Sequence, residues 1–194
     1  MTRTEVKISG YGGQGVLTLG ALITNTSIMY TDTLNASQSE SYGAAARGGA
    51  CWSEVVIEDS PEEINYPRTT PKNVDVGIFL TDEAVSKYLG EIKREGGIVI
   101  YDPSSVGKIR TKNTQVVYSI PAQQMARETL KNPLTANAIM FGAFTAIMDI
   151  FDKAAALKGV KDVSPAKAYD INIQAFNVGY DFALEQKKNL KKAA

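Results

Sequence analysis

A short run with apolar Val6 and Ile8, Val6-Lys7-Ile8-Ser9, passes straight into Gly10-Tyr11-Gly12-Gly13-Gln14-Gly15 and then into a helical pattern of Val16, Leu17, Leu19, Leu22 and Ile23. This succession of strand, glycine turn and helix restricts the fold more than any other feature of the chain. Glycines permit a tight turn and leave backbone N–H groups bare at the start of the helix. Such a terminus carries roughly half a positive charge, so the default ligand of the loop is an anion, and a nucleotide pyrophosphate fits best. The competing explanation is mechanical: glycines also let a helix pack closely on a sheet.

The spacing of Gly10, Gly12 and Gly15 satisfies the dinucleotide fingerprint, which also asks for an acid about 20 residues further on to hold the ribose hydroxyls. Here that neighbourhood reads Thr33-Leu34-Asn35-Ala36-Ser37. Asp32 falls at the start of the expected second strand and Glu40 beyond its end, so NAD is disfavoured.

With 194 residues the chain suits one domain over 1–194. Its 21 basic and 21 acidic residues balance, which argues against nucleic acid as a partner. Only Lys187-Lys188-Asn189-Leu190-Lys191-Lys192 is strongly basic, and it reads as a solvated, fraying helix end. One cysteine and no histidine leave no ligand set for zinc or an iron–sulfur cluster, and no Ser-His-Asp or Cys-His nucleophile. Cys51 falls in an alternating strand and reads as a buried structural thiol. No signal segment opens the chain, and the apolar stretch 136–151 is too short and too broken by Asn137, Thr145 and Asp149 to span a bilayer, so a cytoplasmic location is expected.

Strands alternate with helices along the chain. The expected fold is α/β: a mostly parallel sheet with flanking helices, a Rossmann-like first βα unit and a helical C-terminal third. The first unit is strand 4–9, the glycine loop and helix 14–30. Residues 51–58 alternate, with Cys51, Ser53, Val55 and Ile57 on one face and Trp52, Glu54, Val56 and Glu58 on the other. Strand 74–80 leads to Thr81 as N-cap with Asp82 and Glu83 in the first turn, and Gly96-Gly97 are expected to stop that helix before strand 98–101. A strand over 115–120 and a helix over 122–130 follow. The run 136–151 reads as a helix buried nearly all round. Ser164 as N-cap and Pro165 at the first helical position open the last helix, striped by Ile171, Ala175, Val178 and Phe182.

Residues 38–49, Gln38-Ser39-Glu40-Ser41-Tyr42-Gly43-Ala44-Ala45-Ala46-Arg47-Gly48-Gly49, read as a second loop. A planar guanidinium among glycines suits a carboxylate or a phosphate, although Arg47 could equally be a solvated surface charge.

Together these residues resemble the gamma subunit of 2-oxoacid:ferredoxin (acceptor) oxidoreductases. The resemblance spans nearly the whole chain. It rests on the opening glycine motif through Val16, on Tyr42, Gly43, Arg47, Gly48 and Gly49 of the second loop, and on residues 133–142 and 171–180. Ala44-Ala45-Ala46 replaces the family's Pro-Glu-x, so no role of that glutamate carries over. The form of the second loop on a short gamma chain is most similar to the 2-oxoglutarate branch, with pyruvate, branched-chain and indolepyruvate relatives as alternatives.

The resemblance implies a complex that decarboxylates a 2-oxoacid on thiamin diphosphate and Mg2+, passes electrons through iron–sulfur clusters to ferredoxin or a similar acceptor, and transfers the acyl group to coenzyme A. Alpha, beta and delta-type subunits are the implied partners and hold the redox cofactors. For this chain it implies an accessory role, no catalytic residue and no metal. Gly10, Gly12, Gly13, Gln14, Gly15, Tyr42, Gly43, Arg47, Gly48 and Gly49 are the candidate residues for the coenzyme A phosphates. Alternatives are a pure assembly subunit and a free-standing nucleotide-binding oxidoreductase.

Overall fold

The computed structural model describes residues 2–42, 49–60, 64–112 and 114–193. The strands are β1 (Arg3–Tyr11), β2 (Leu34–Tyr42), β3 (Ala50–Asp59), β4 (Val76–Phe79), β5 (Ile98–Tyr101) and β6 (Val116–Ser119). The α-helices are α1 (Val16–Met29), α2 (Asp82–Tyr88), α3 (Ala122–Glu128), α4 (Ala136–Met148), α5 (Lys153–Val163) and α6 (Tyr169–Ala193). They build one sheet in the order β2-β3-β1-β4-β5-β6. The β1/β4, β4/β5 and β5/β6 pairs are parallel, whereas β3 pairs antiparallel with both β1 and β2. Because β2 opposes β3 and β3 opposes β1, β2 runs with β1, and β3 alone points the other way among the described strands. The sheet is thus mixed, and its parallel majority matches the expectation.

Position in the sheet explains the burial of β1. It is central, and residues 5–10 are buried on both faces. Val6 and Ile8 enter the main core with Leu19, Leu22 and Ile23 of α1 and Ile139 and Phe144 of α4. The opposite face carries Lys7, and there Phe79, Tyr88, Ile92 and Val99 form a second cluster against α2, with Trp52 packed on it. Lys7 is buried with its Nζ 2.7 Å from Glu54 Oε1 and 3.5 Å from Glu91, over the rings of Trp52 and Tyr88. Both expected faces of β3 are therefore covered: Cys51, Ser53, Val55 and Ile57 are buried, and so are Glu54 and Val56 opposite them.

Several boundaries differ from the sequence reading. β2 extends through Tyr42, so residues 38–42 of the expected loop are strand, and Glu40 lies inside β2 instead of beyond it. NAD stays disfavoured for a topological reason: antiparallel β3 separates β2 from β1, so Asp32 and Glu40 do not lie on a parallel strand beside β1. Thr81 does cap α2, its hydroxyl accepting from the Ala84 N–H at 3.1 Å, but the helix gives way to a 3-10 turn at Leu89–Glu91, well before Gly96-Gly97.

The helical third divides differently as well. The stretch 136–151 ends its helix at Met148, where Asp149 takes φ 55°, and Asp152 then caps α5 through the Ala155 N–H at 2.6 Å. Ser164 closes α5 instead of opening the last helix, and Pro165 precedes a 3-10 turn at Ala166–Ala168. On α6 the fully buried stripe is Ala175, Phe176, Gly179 and Ala183, so the expected stripe is rotated, keeping Ala175 fully buried and Phe182 half-buried against the core. Lys187 is not simply solvated: its ammonium donates to the Ala146 and Ile147 carbonyls at 2.9 and 2.8 Å, where the C-terminus of α4 needs donors.

Candidate functional site

β1 and β4 are parallel neighbours whose following helices leave on opposite faces, α1 toward the main core and α2 toward the Lys7 side. A crevice opens where the chain departs in two directions, beyond the C-terminal ends of these strands. The glycine loop fills its rim. Gln14 spans it: Oε1 accepts the Tyr11 N–H at 2.7 Å, and Nε2 donates to the Leu80 carbonyl just past β4 at 3.0 Å. Gln14 is therefore a brace that holds the loop on the sheet. The Gly12 N–H donates to the Gly49 carbonyl at 2.9 Å and joins the loop to the start of β3.

Two glycines meet a conformational demand. Gly13 and Gly15 take φ 96° and 78°, in the left-handed region that side chains disfavour. Gly15 is also the N-cap of α1, and it offers no side chain to the helix's first N–H groups; nor is there an acid in the first turn. The N–H groups of Val16, Leu17 and Thr18 therefore lack intrahelical partners.

Those residues line a cleft of about 490 Å³ together with Gly12, Gly13, Gln14, Tyr42 at the end of β2, Cys51 of β3, Gln123 of α3, Leu134, and Asn137 of α4. No Lys, Arg, Asp or Glu lines it among the described residues, so what these residues offer an anion is backbone dipoles. Its mouth is apolar, with Leu134 84% and Tyr42 59% exposed. Cys51 is buried at its wall, and burial pushes its thiol pKa up, which favours the neutral thiol. Tyr11, near the rim, has its phenol pKa raised by a hydrogen bond to Glu83.

Of the expected site residues, Gly12, Gly13, Gln14, Gly15 and Tyr42 come together on the cleft. Gly10 lies beneath the loop, where a Cβ would crowd the Gln14 amide and the Leu80 side chain. Gly49 contributes its backbone carbonyl. Gly43, Arg47 and Gly48 lie outside the described residues. Thr18, Gln123, Leu134 and Asn137 escaped the residue-by-residue reading; the one signal was Asn137, a polar amide interrupting an otherwise apolar helix.

Residues 5–182 match the family described as pyruvate ferredoxin/flavodoxin oxidoreductase. The chain belongs to this family. It is 38% identical over 184 residues to the 2-oxoglutarate synthase subunit KorC of Methanocaldococcus jannaschii, covering 94% of this chain and 95% of that protein. The gamma subunit of a keto/oxoacid ferredoxin oxidoreductase from Geobacter sulfurreducens shares the fold with a TM-score of 0.80 at 32% identity, over 94% of this chain and 99% of that one. A 2-oxoglutarate:ferredoxin oxidoreductase from Magnetococcus marinus, solved with 2-oxoglutarate, coenzyme A and succinyl-CoA bound, contains the same fold with a TM-score of 0.78 at 20% identity, over 94% of this chain and 31% of that one.

Proposed function

We propose that this chain, as one gamma-type domain, is the accessory subunit of a cytoplasmic 2-oxoacid:ferredoxin oxidoreductase that converts 2-oxoglutarate to succinyl-CoA, and that its glycine cleft takes part in coenzyme A handling. Near full-length likeness to a 2-oxoglutarate synthase subunit supports the first part. No helix of the described residues is long and apolar enough to cross a membrane.

The observation that carries the second part is the uncapped N-terminus of α1, opening with two left-handed glycines onto a cleft of about 490 Å³. A diphosphate fits it, because bare N–H groups and a helix dipole hold an anion without a side-chain cation. Coenzyme A supplies the thiol that accepts the acyl group. The chain's residues would hold its phosphates: Gly13, Gly15, Val16 and Leu17 by backbone, Thr18 by N–H and hydroxyl. Iron–sulfur clusters find no ligand set here: among the described residues no group of three His, Cys, Asp or Glu side chains converges, and the one cysteine is buried, which supports alpha, beta and delta-type partners as the holders of the clusters and of thiamin diphosphate.

A second reading, pure assembly, draws on the exposure of Leu134 and Tyr42 at the cleft mouth, an apolar rim a neighbouring subunit could cover. Calorimetric titration of the purified chain with coenzyme A, ADP and NADH separates the readings. Coenzyme A and ADP should compete for one site while NADH fails to bind. Absence of coenzyme A binding, both to the chain and to this cleft in the assembled enzyme, would leave assembly as the function; tight NADH binding would point to a nucleotide oxidoreductase.

A further inference from the structure

A second cleft, of about 450 Å³, lies on the opposite side of the sheet between α2 and the chain that connects β5 to β6. Its floor includes Val85 and Leu89, and its walls carry Arg94, Lys108, Arg110 and Lys112. All four cations are exposed, and none has a carboxylate partner among the described residues. In a chain of zero net charge this is a local concentration of unpaired positive charge.

The backbone beneath them is also unpaired. Residues 106–112 run without turn or bend, and exposure alternates: Lys108, Arg110 and Lys112 are exposed, while Ile109 and Thr111 are half-buried and Ile109 packs on the Phe79 and Tyr88 cluster. That period of two belongs to an extended chain, which sets the three cations about 6.6 Å apart along one edge. The segment is pinned at both ends, by the Gly107 N–H on Asp82 Oδ1 at 2.8 Å and by the Lys112 N–H on Gln115 Oε1 at 3.0 Å. Between the pins, the N–H and C=O groups of residues 108–111 form no hydrogen bond to any described residue.

We infer that residues 108–112 are a docking edge for an extended acidic segment of another polypeptide, which adds to them as a strand. The alternating donors and acceptors select a peptide, because a phosphate chain offers acceptors alone and would leave the carbonyls of 109 and 111, which share one edge, unmet. The cations select carboxylates at alternate positions of that peptide, spaced as theirs are. The inference does not rest on the coenzyme A reading, whose failure would leave it standing.

The test titrates the 15N-labelled full chain with an acetylated octapeptide of alternating threonine and glutamate. Binding should shift the Ile109 and Thr111 amide resonances, slow their hydrogen exchange, and weaken as salt is raised. The triple substitution K108Q/R110Q/K112Q should weaken it about tenfold or more while melting at the wild-type temperature. The same peptide N-methylated at every residue, which has no N–H left on either edge to pair as a strand, should bind at least about tenfold more weakly. No binding at low salt overturns the inference. So does equal affinity for the methylated peptide, which would reduce the cleft to plain charge attraction, and so does tighter binding of inorganic pyrophosphate without protection of those amides, which would make the cleft a phosphate site.

Discussion

At Gly13 the demand is on φ alone, since nothing lies within 4 Å of a Cβ built there, whereas at Gly15 such a Cβ also meets Asn137 Cβ at 2.8 Å. Gly13→Ala should therefore cost about 1 kcal/mol from left-handed strain, a Tm drop of about 2 to 4 °C. Gly15→Ala should cost roughly twice that, and Asn137→Ala should recover only a small part, since it removes Cγ and Nδ2 but keeps the Cβ contact and leaves the φ cost. Thermal melts of the singles and the double check this. If both alanine variants also lose coenzyme A binding while folded, the loop cradles the ligand.

The buried pair Lys7–Glu54 gives the second prediction at this scale. Burial by itself would raise the Glu54 carboxyl, but the Lys7 hydrogen bond and the charges of Lys7 and Arg68 outweigh it and hold its pKa below the usual carboxylate value. A depressed folded pKa means stability that is fully present above the unfolded pKa and lost as pH falls through the folded one. Glu54→Gln leaves Lys7 with Glu91 at 3.5 Å as its one carboxylate among the described residues, and should cost about 3 kcal/mol at pH 7. The gap between variant and wild type in urea unfolding should begin to narrow as pH falls below the ordinary glutamate pKa of about 4.3, where the unfolded chain takes up its proton, and close only at lower pH, where the folded carboxylate protonates too. Lys7 and Glu54 could be read in the sequence as strand residues, but not as a buried pair. Their types favour solvent, and only the central place of β1 and its register with β3 bring them together.

At the scale of elements, α4 and α6 touch backbone to backbone. A Cβ on Gly142 would overlap the Phe176 carbonyl, and one on Gly179 the Ile139 carbonyl. Gly142→Ala or Gly179→Ala should thus lose about 3 kcal/mol or more, against the usual gain from placing alanine in a helix. Gly90→Ala, with nothing within 4 Å of its Cβ, should stay within about 0.5 kcal/mol, so parallel denaturation curves test crowding directly. Strand β1, the glycine turn, α1, β3 and the Thr81 cap were legible because local chemistry decides them. The start of the last helix was not: a Ser-Pro pair serves a turn between two helices as well as a helix start, and tertiary contact chooses. The rotated stripe of α6 has the same origin, since Gly179 reaches the interface by close approach and carries no hydrophobic signal.

For the whole molecule, strand order lay beyond the sequence because alternation in residues 51–58 says which side chains share a face, not which strands flank them. The cleft was half legible for the same reason. The glycine loop announced itself locally, but Gln123, Leu134 and Asn137 reach it only once α3 and α4 pack beyond the sheet. Leu134 then decides between the two uses of that cleft. It is 84% exposed, so Leu134→Glu should leave the chain's stability within about 0.5 kcal/mol. A glutamate there would repel an incoming anion at a mouth lined by no other charged side chain among the described residues, and would place an unpaired charge in any apolar contact with another subunit. With the cleft open to coenzyme A, the assembled enzyme should form normally and show a raised KM for coenzyme A with its KM for 2-oxoglutarate unchanged. With the rim covered by a neighbouring subunit, size-exclusion chromatography should show a well-folded chain that no longer joins the complex, and the coenzyme A KM of whatever enzyme does assemble should be that of the wild type.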